Sequence, residues 1–402
     1  MNTSALGEVF LSLASATLFN RARACPARDI PHLERPPAAP QHNNPHHRKD
    51  TMKKQIKIGD HLISETSPTF IVAEMSGNHN MDFDRAVDIM KAAKQAGADA
   101  IKIQTYTADT ITLNCDAPCF QITQGTLWDG ITLHKLYETA YTPWEWQPKL
   151  KKLAREMGLI LFSSPFDFSS VDFLEEMDVP AYKVASFEIT DIPLIRKIAR
   201  LGKPVILATG IARLADIELA VQTCREEGNE QVILLKCCSA YPTPYEDVNL
   251  RTIPSMAQTF DCLAGLSDHT MGSAVAAGAV ALGARMVEKH MTLRRSDGGP
   301  DAAFSMEPQE FKEMVDNIRI VEKALGRVTY DLSDKQVRER EHSRSLFVAK
   351  DMKAGDVFTP DNLRSVRPAD GLHTKYYEQL LGKKITRDTK MGTPMTWDLA
   401  GE

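Results

Sequence analysis

Short apolar runs alternate with longer amphipathic segments along most of the chain. The runs are rich in Val, Ile, Leu and Ala, which suits strands that are buried on both faces. Between the runs, apolar residues recur at the three-to-four-residue spacing of a helix that packs on one side. The runs cover residues 69–75, 100–106, 159–165, 181–186, 204–210, 231–239, 262–267 and 285–291. Eight strands, each followed by a helix, predict a parallel sheet built from βαβ units.

The helical segments help to decide between two ways of arranging such a sheet. Helical periodicity is clearest in residues 83–95, 144–157, 192–201, 212–227 and 273–282, and residues 308–325 supply the eighth helix. An open, doubly wound sheet would bring a glycine-rich phosphate-binding turn after its first strand. The turn here, residues 76–79, reads SGNH and lacks that pattern. We therefore predict an α/β fold, a closed (β/α)8 TIM barrel over residues 52–332.

Both ends of the chain differ in composition from this barrel. Prolines and a polar, histidine-containing tract interrupt residues 1–51, so we expect a disordered extension there, with Met52 as the natural start. Residues 333–343 are strongly charged and predict a linker. Residues 344–402 carry short strand-like runs and turn signals, which predict a small, mostly β second domain.

Composition excludes several classes of partner. The 402 residues are 43% hydrophobic and carry a net charge of -5, which gives no bulk attraction to nucleic acid or anionic membranes. No apolar stretch reaches the ~18 residues of a membrane span. The seven cysteines form no CxxC pair, so we expect reduced thiols in a cytoplasmic protein.

Polar residues gather where the predicted strands end, and the chemistry of a (β/α)8 barrel lies at those carboxyl ends. Examples are Glu74, Lys102, Ser164, Lys183, Ser186, Lys236, Ser267, His269, Glu288 and His290. Any single residue of this kind has an ordinary explanation, such as a helix cap or a satisfied core residue. Together they need another explanation, because buried charges are stable only when they are paired or bound. We expect the mouth of the barrel to bind an anion, a metal ion or both.

Two histidines suggest the metal. His269 and His290 come from neighbouring strand ends, so both imidazoles can reach one divalent ion. Two imidazoles with oxygen ligands suit Mn2+ or Mg2+, and the lack of a thiolate-rich set argues against structural zinc.

Two lysines and three serines suggest the anion. A small compound with phosphate and carboxylate groups needs point charges and short hydroxyl donors, as offered by Lys102, Lys183, Ser164, Ser186 and Ser267. Phosphoenolpyruvate fits this description. Glu74, Glu288 and Asp301 are then expected to face a neutral, polyhydroxylated partner, because the lysines occupy the anion side.

Several motifs, in this order, resemble the sialic acid synthase family. They are residues 73–79 (AEMSGNH), 101–105 (IKIQT), 163–166 (SSPF), 241–244 (YPTP), 265–270 (GLSDHT) and 288–290 (EKH). In the C-terminal unit, Gly355, Asn362 and residues 366–368 (VRP) resemble the family's antifreeze-protein-like SAF domain. The resemblance covers nearly everything after Met52.

Within the family, the chain is most similar to the branch that makes pseudaminic acid, as residues 104–107 (QTYT) and 185–188 (ASFE) indicate. N-acetylneuraminate synthases more often have histidine, asparagine and serine where this chain has Lys236, Ser239 and Ala208. The resemblance implies 2,4-diacetamido-2,4,6-trideoxy-L-altrose as the sugar substrate. N-acetylneuraminate or legionaminate synthesis is the alternative within the same reaction type.

The resemblance also implies roles for individual residues. His269 and His290 match the metal ligands, and the two lysines and three serines match the phosphoenolpyruvate site. Residues matching those near the metal and the sugar are Glu74, Glu288 and Asp301, taken as catalytic, with Phe166 and Tyr241, taken as substrate-binding. Arg367 resembles the arginine that the SAF domain of one subunit places over its partner's active site, which implies a domain-swapped homodimer.

The implied reaction joins the two substrates through C3 of phosphoenolpyruvate, which attacks the open-chain aldehyde of the sugar. Water then adds at C2, and phosphate leaves by C–O cleavage. Two rival interpretations stay open. A Schiff-base aldolase would use Lys183 as its nucleophile and would be trapped by borohydride with pyruvate. A non-catalytic carbohydrate-binding protein would bind sugar without releasing phosphate.

Overall fold

Eight parallel strands close into a barrel, as the alternation of runs and helices predicted. This computed structural model describes residues 54–401 apart from 124 and 126–128. A hairpin of β1 (Gln55–Ile58) and β2 (His61–Ser64) precedes the barrel. The barrel strands are β3 (Phe70–Glu74), β4 (Ala100–Thr105), β5 (Ile160–Pro165), β6 (Tyr182–Val184), β7 (Val205–Ala208), β8 (Val232–Lys236), β9 (Leu263–Asp268) and β10 (Met286–His290). β10 pairs with β3 and so closes the ring.

Helices connect the strands. They are α1 (Phe83–Gln95), α2 (Ala108–Ile111), α3 (Leu133–Ala140), α4 (Gln147–Glu156), α5 (Phe168–Glu176), α6 (Ile192–Ala199), α7 (Leu214–Glu226), α8 (Thr252–Thr259), α9 (Ala274–Ala281) and α10 (Pro308–Leu325). Local sequence sets several of their starts. Asp82 caps α1 by accepting hydrogen bonds from the backbone N–H groups of Asp84 and Arg85, and Pro308 occupies the first turn of α10, where its missing N–H is not needed.

The structure also shows where the sequence pattern was incomplete. The bounds of α1 and α10 agree with the prediction, but β8 ends at Lys236, three residues before the end of the predicted run at 239. The apolar pattern continues there because Cys237 is buried and Cys238 is half-buried after the chain leaves the sheet. The β1–β2 hairpin and the short helices α2 and α3 had no separate prediction. The predicted extension, residues 1–51, lies outside the described residues.

Apolar side chains fill the amino end of the barrel. Val72, Phe162, Ile206, Ile233 and Met286 point inward and are fully buried. Apolar residues of the β1–β2 hairpin, including Ile58 and Ile63, pack against them and close that end. The opposite end, where the strands finish, is called the mouth below.

The C-terminal unit is small and has its own apolar core. After α11 (Asp334–Glu339), strands β11 (Ser345–Val348) and β12 (Leu363–Val366) pair antiparallel, and α12 (Tyr377–Leu380) follows. Its buried core includes Leu346, Phe358 and Met395. Part of the predicted linker is helical because Ser333 caps α11 and accepts a hydrogen bond from Gln336. No helix in the described residues is long and apolar enough to cross a membrane.

Candidate active site

Four charged side chains from β3, β4, β6 and β10 meet inside the mouth. Lys183 Nζ lies 2.8 Å from Glu288 Oε1 and 3.0 Å from Glu288 Oε2. Lys102 Nζ lies 2.6 Å from Glu74 Oε2 and 3.6 Å from Glu288 Oε1. All four residues are at most 3% exposed, because alternate residues of a barrel strand point into its interior. The charges balance within the cluster.

The ionisation of the two carboxylates differs. Burial opposes the ionisation of Glu288, but the charges of Lys102 and Lys183 outweigh it and lower the pKa of Glu288 to about 2. Burial and the charge of Glu288 raise the pKa of Glu74, although Lys102 acts against them. Glu288 is therefore held ionised, whereas Glu74 is the carboxylate that takes up a proton more readily.

The lysines also differ. Burial lowers the pKa of Lys183, whereas Glu288 and Glu74 raise the pKa of Lys102 against the effect of burial. Removing such ions from water has a penalty on the order of several kcal/mol per ion. A gain in stability therefore does not explain why four charged side chains are buried together. Binding of a ligand that replaces some of their mutual contacts does explain it.

Hydroxyl groups extend this cluster. Ser164 Oγ lies 3.3 Å from Lys102 Nζ, and Ser267 Oγ lies 3.2 Å from Glu288 Oε1. The sequence analysis assigned the lysines to an anion and the carboxylates to a neutral partner. In the structure the lysines instead bond directly to the carboxylates, so an anion that binds the lysines must replace contacts to Glu74 or Glu288.

A series of hydrogen bonds connects Asp301 to Glu74. Gln104 Nε2 donates to Glu74 Oε1 at 3.0 Å and to Ser76 Oγ at 3.1 Å. Ser76 Oγ in turn donates to Asp301 Oδ2. Burial raises the pKa of Asp301, although its hydrogen bond with Ser76 acts against this. Gln104 and Ser76 were not among the predicted site residues, and they join Asp301 to the charged cluster.

The two histidines lie beside the charged cluster. The ring centroids of His269 and His290 are 5.2 Å apart. Nδ1 of His269 lies 3.0 Å from the carbonyl oxygen of Cys238, so in the neutral ring the proton on Nδ1 donates to that oxygen and Nε2 has the free lone pair. Burial, together with the positive charges of Lys102 and Lys183, lowers the pKa of His290 well below its ordinary value. His290 is therefore neutral, which is the form that binds metals.

These rings fit a divalent cation. Nδ1 of His290 is buried without a hydrogen-bond partner, and Asp301 Oδ2 lies 4.0 Å from it. Within residues 54–401, apart from 124 and 126–128, no three His, Cys, Asp or Glu side chains form a complete metal site. Oxygen atoms of substrate or water would supply the other ligands, as Mn2+ and Mg2+ allow.

Tyr241 and Ser186 line the walls next to these groups. The Tyr241 ring lies 4.5 Å from the His269 ring, measured between centroids. Ser186 Oγ accepts a hydrogen bond from Gly210 N at 3.1 Å. A Cβ atom on Gly210 would lie 2.6 Å from Ser186 Oγ and 2.2 Å from Ser239 Oγ. A side chain on Gly210 would require both serines to shift, so the segments that follow β6, β7 and β8 approach closely.

Two predicted residues lie apart from the charged cluster. The Phe166 ring packs against Tyr106, with centroids 5.0 Å apart, and Tyr106 packs against Tyr137 at 5.6 Å. Phe166 thus belongs to an aromatic cluster at the ends of β4 and β5. Arg367 is exposed in the C-terminal unit, just after β12. The structure of the single chain does not bring it into contact with the other predicted site residues.

Glu188 is a candidate that the sequence analysis assigned to no role. It lies in the turn Ser186–Glu188 after β6, and its Oε2 is buried without a hydrogen-bond partner. Burial raises the pKa of Glu188 to about 7, although Lys183 and Lys102 act against this shift. Its place two residues after Ser186, beyond a strand end, was the available signal. Its ionisation near neutrality depends on burial, which the sequence does not show.

A closed parallel barrel with buried lysines, carboxylates and paired histidines at its mouth defines an enzyme of the (β/α)8 class. The profile of the NeuB family matches residues 89–330, and the profile of the SAF domain matches residues 343–399. The chain therefore belongs to the NeuB family, and the resemblance in its motifs is confirmed.

Individual relatives extend this result. A pseudaminic acid synthase of Campylobacter jejuni is 47% identical over 84% of this chain and 97% of its own length. An N,N'-diacetyllegionaminic acid synthase of the same species is 36% identical over 80% of this chain and 97% of its own length. The crystal structure of an N-acetylneuraminic acid synthetase from Leptospira borgpetersenii, in complex with citrate, is 30% identical. It superposes with a TM-score of 0.64 over 71% of this chain and 95% of that one.

Proposed function

We propose that the protein condenses phosphoenolpyruvate with 2,4-diacetamido-2,4,6-trideoxy-L-altrose and water, giving pseudaminic acid and phosphate. The observation that carries this proposal is the balanced cluster of two buried lysines and two carboxylates beside a pair of histidines, in a NeuB-family barrel. Identity of 47% to a pseudaminic acid synthase, against 36% to a legionaminic acid synthase, supports the choice of sugar.

The lysines bind and orient phosphoenolpyruvate. Lys102 and Lys183 hold its phosphate and carboxylate groups, and Ser164 and Ser267 donate hydrogen bonds to the same anion. Binding of this anion frees Glu74 from its ion pair with Lys102. Since these side chains are buried, each of these contacts is stronger than it would be in water.

The carboxylates move protons. Addition of water at C2 of phosphoenolpyruvate requires a base, and expulsion of phosphate is assisted by an acid. Glu74 and Glu188 have a raised pKa, which suits them to take up and return that proton near neutral pH. Glu288 stays ionised and holds Lys183 in place.

A divalent ion, Mn2+ or Mg2+, is part of the proposal, with His269 and His290 as its protein ligands. Such an ion supplies Lewis-acid stabilisation of the aldehyde oxygen of the sugar. Asp301, hydrogen-bonded through Ser76, lies on the same side of the mouth and orients the sugar's hydroxyl groups.

Release of phosphate tests the proposal. Purified protein would be incubated with phosphoenolpyruvate, Mn2+ or Mg2+, and a panel of altrose- and mannose-configured amino sugars. We expect turnover with the diacetamido altrose and little with N-acetylmannosamine. Preference for N-acetylmannosamine would overturn the choice of sugar, and absence of phosphate release with every sugar would overturn the reaction.

One observation favours the Schiff-base aldolase as a second candidate. Burial lowers the pKa of Lys183, as a nucleophilic amine requires. Both oxygens of Glu288 hold this amine, however, within 3.0 Å. Incubation with pyruvate and borohydride should leave the mass of the protein unchanged, whereas a stable adduct on Lys183 would establish the aldolase.

The proposal includes a domain-swapped homodimer in the cytoplasm. Exposed apolar side chains from the loops and first helical turns after the strands surround the mouth, among them Phe168, Phe187, Ile211, Leu214, Tyr245 and Met271. Val328 and Tyr330, between α10 and α11, are 94% and 96% exposed. Such surfaces are typical of protein interfaces. We infer that the C-terminal unit of a second copy covers the mouth and brings its Arg367 there.

Subunit exchange tests the dimer. Arg367→Ala protein and His290→Ala protein should each be inactive alone. After mixing, a hybrid dimer contains one intact barrel facing one intact Arg367, so part of the activity should return. A mixture that stays inactive despite exchange, shown by mass spectrometry of labelled subunits, would mean that Arg367 acts within its own chain or has no role.

A further inference from the structure

A second buried ion pair lies outside the mouth, between the last two strands. Asp268 ends β9, and Lys289 stands opposite it in the parallel register of β10. Lys289 Nζ lies 2.6 Å from Asp268 Oδ2, and both side chains are 1% exposed. Their neighbours Ser267 and Glu288 point into the barrel and bond to each other. Asp268 and Lys289 therefore point outward, into the layer between strands and helices.

Both partners of this ion pair are hydrogen-bonded to Thr270, the residue that follows His269. Asp268 Oδ1 accepts hydrogen bonds from Thr270 N at 2.9 Å and from Thr270 Oγ1 at 2.8 Å. Lys289 Nζ donates to the carbonyl oxygen of Thr270 at 2.5 Å. The residues on both sides of His269 are thus fixed to Lys289, which directly precedes His290.

Stability alone is a poor explanation for this arrangement. A buried ion pair replaced by apolar residues of similar size is often no less stable, because the charges lose their hydration on burial. Its best-supported use is to select one arrangement of neighbouring elements. Here the elements are the two strand ends that carry the histidines, whose ring centroids are 5.2 Å apart.

We propose that the Asp268–Lys289 ion pair positions His269 and His290 for the divalent ion, and so sets the affinity for the metal without contacting it. This inference rests on the metal-binding part of the proposed function. Asp268 and Lys289 are positioning residues, since neither side chain points into the mouth. Loss of an outer partner of a metal ligand typically weakens metal binding about 10–100-fold.

The test measures Mn2+ binding to the metal-free, full-length protein by electron paramagnetic resonance, and thermal unfolding in parallel. Lys289→Met leaves a buried carboxylate without its cation and should lower both the unfolding midpoint and the Mn2+ affinity. Asp268→Asn/Lys289→Met removes both charges while an amide oxygen still accepts from Thr270. We expect this double variant to regain unfolding stability relative to Lys289→Met, with Mn2+ affinity still about tenfold below the parent.

Two further variants separate positioning from general stability. Thr270→Val removes one hydrogen bond to Asp268, and should weaken Mn2+ binding a few-fold in a protein that folds normally. Lys203→Met breaks ion pairs to Glu175 and Asp178 at the amino end of the barrel. It should lower the unfolding midpoint without changing the Mn2+ affinity.

The outcomes distinguish this inference from the function on which it rests. Parental Mn2+ affinity in both the double variant and Thr270→Val would overturn the positioning role while leaving the metal site intact. Equal losses of Mn2+ affinity in Lys203→Met and in the double variant would also overturn the positioning role, since the affinity would then depend on the stability of the fold in general. A parent protein that binds no Mn2+ would overturn the metal proposal itself, and the inference with it.

Discussion

The two ends of the barrel interior are built from the same strands but have opposite chemistry. Two residues along β3 lead from Val72, in the apolar amino end, to Glu74 in the mouth, and two residues along β10 lead from Met286 to Glu288. The amino end is closed by the β1–β2 hairpin and supplies stability. The mouth buries lysines and carboxylates, which reduce stability. One short step along a strand therefore separates the folding core from the site.

The largest expected effect comes from removing a charge in the mouth. Lys183→Met should lower kcat/KM in the phosphate-release assay by about 10³-fold, because Glu288 and the bound anion lose their cation. Mn2+ uptake should stay parental. Lys203→Met, which removes a lysine at the opposite end of the barrel, is the matched control and should retain turnover. Parental affinity for phosphoenolpyruvate in Lys183→Met would show that the anion binds elsewhere.

Truncation in the apolar layer should have the complementary result. Phe162 is fully buried among the side chains that fill the amino end. Phe162→Ala should lower the free energy of unfolding by about 3–5 kcal/mol, since a cavity is left. Denaturant unfolding measures this loss, and the KM for phosphoenolpyruvate at a temperature where the variant is folded should be unchanged. A raised KM with parental stability would contradict the division of roles between the two ends.

The pH dependence of stability should have opposite signs at the two ends. The pKa of Glu188, at the mouth, rises from 4.5 to about 7 on folding, so the folded state binds its proton more tightly and stability falls as pH increases from 4.5 to 7. The contribution is about 3 kcal/mol. Glu188→Gln should remove this slope in unfolding measured across that range.

Glu175, near the amino end, should behave in the opposite way. Although burial acts against the shift, hydrogen bonds from Tyr182 and Lys203 lower the pKa of Glu175. Its contribution is therefore present above its unfolded pKa of about 4.5 and is lost as pH falls through the lower folded value. If Glu188→Gln and Glu175→Gln change the pH profile of stability in the same direction, the two environments are not opposite.

The smallest effect separates two neighbouring serines of β5. Ser164 points inward to Lys102, whereas Ser163 points outward and bonds to Thr105 at 2.6 Å and to the carbonyl oxygen of Ile103 at 3.0 Å. Ser164→Ala should raise the KM for phosphoenolpyruvate by up to about tenfold, because one hydrogen bond is lost. Ser163→Ala should instead reduce unfolding stability by about 1 kcal/mol with KM unchanged. Interchanged results would reverse the assigned directions of these side chains.

The sequence by itself determined the element order, the barrel and the end at which polar side chains gather. These features follow from local side-chain direction. Helix and strand geometry determine which positions of an element are buried, and those positions carry apolar residues. The bounds of α1 and α10 were predicted from helical periodicity, and the structure places Asp82 as the cap of α1 and Pro308 in the first turn of α10. The motifs of the mouth then indicated the family.

Only the tertiary structure decided which polar groups meet. Lys183 and Glu288 are 105 positions apart in the chain, and their contact exists because β10 closes the ring and the strand register brings both into one layer. The sequence analysis placed the lysines and carboxylates on opposite sides and assigned no role to Glu188. Contact between distant residues, and the burial that shifts a pKa, depend on register and ring closure, which no local pattern records.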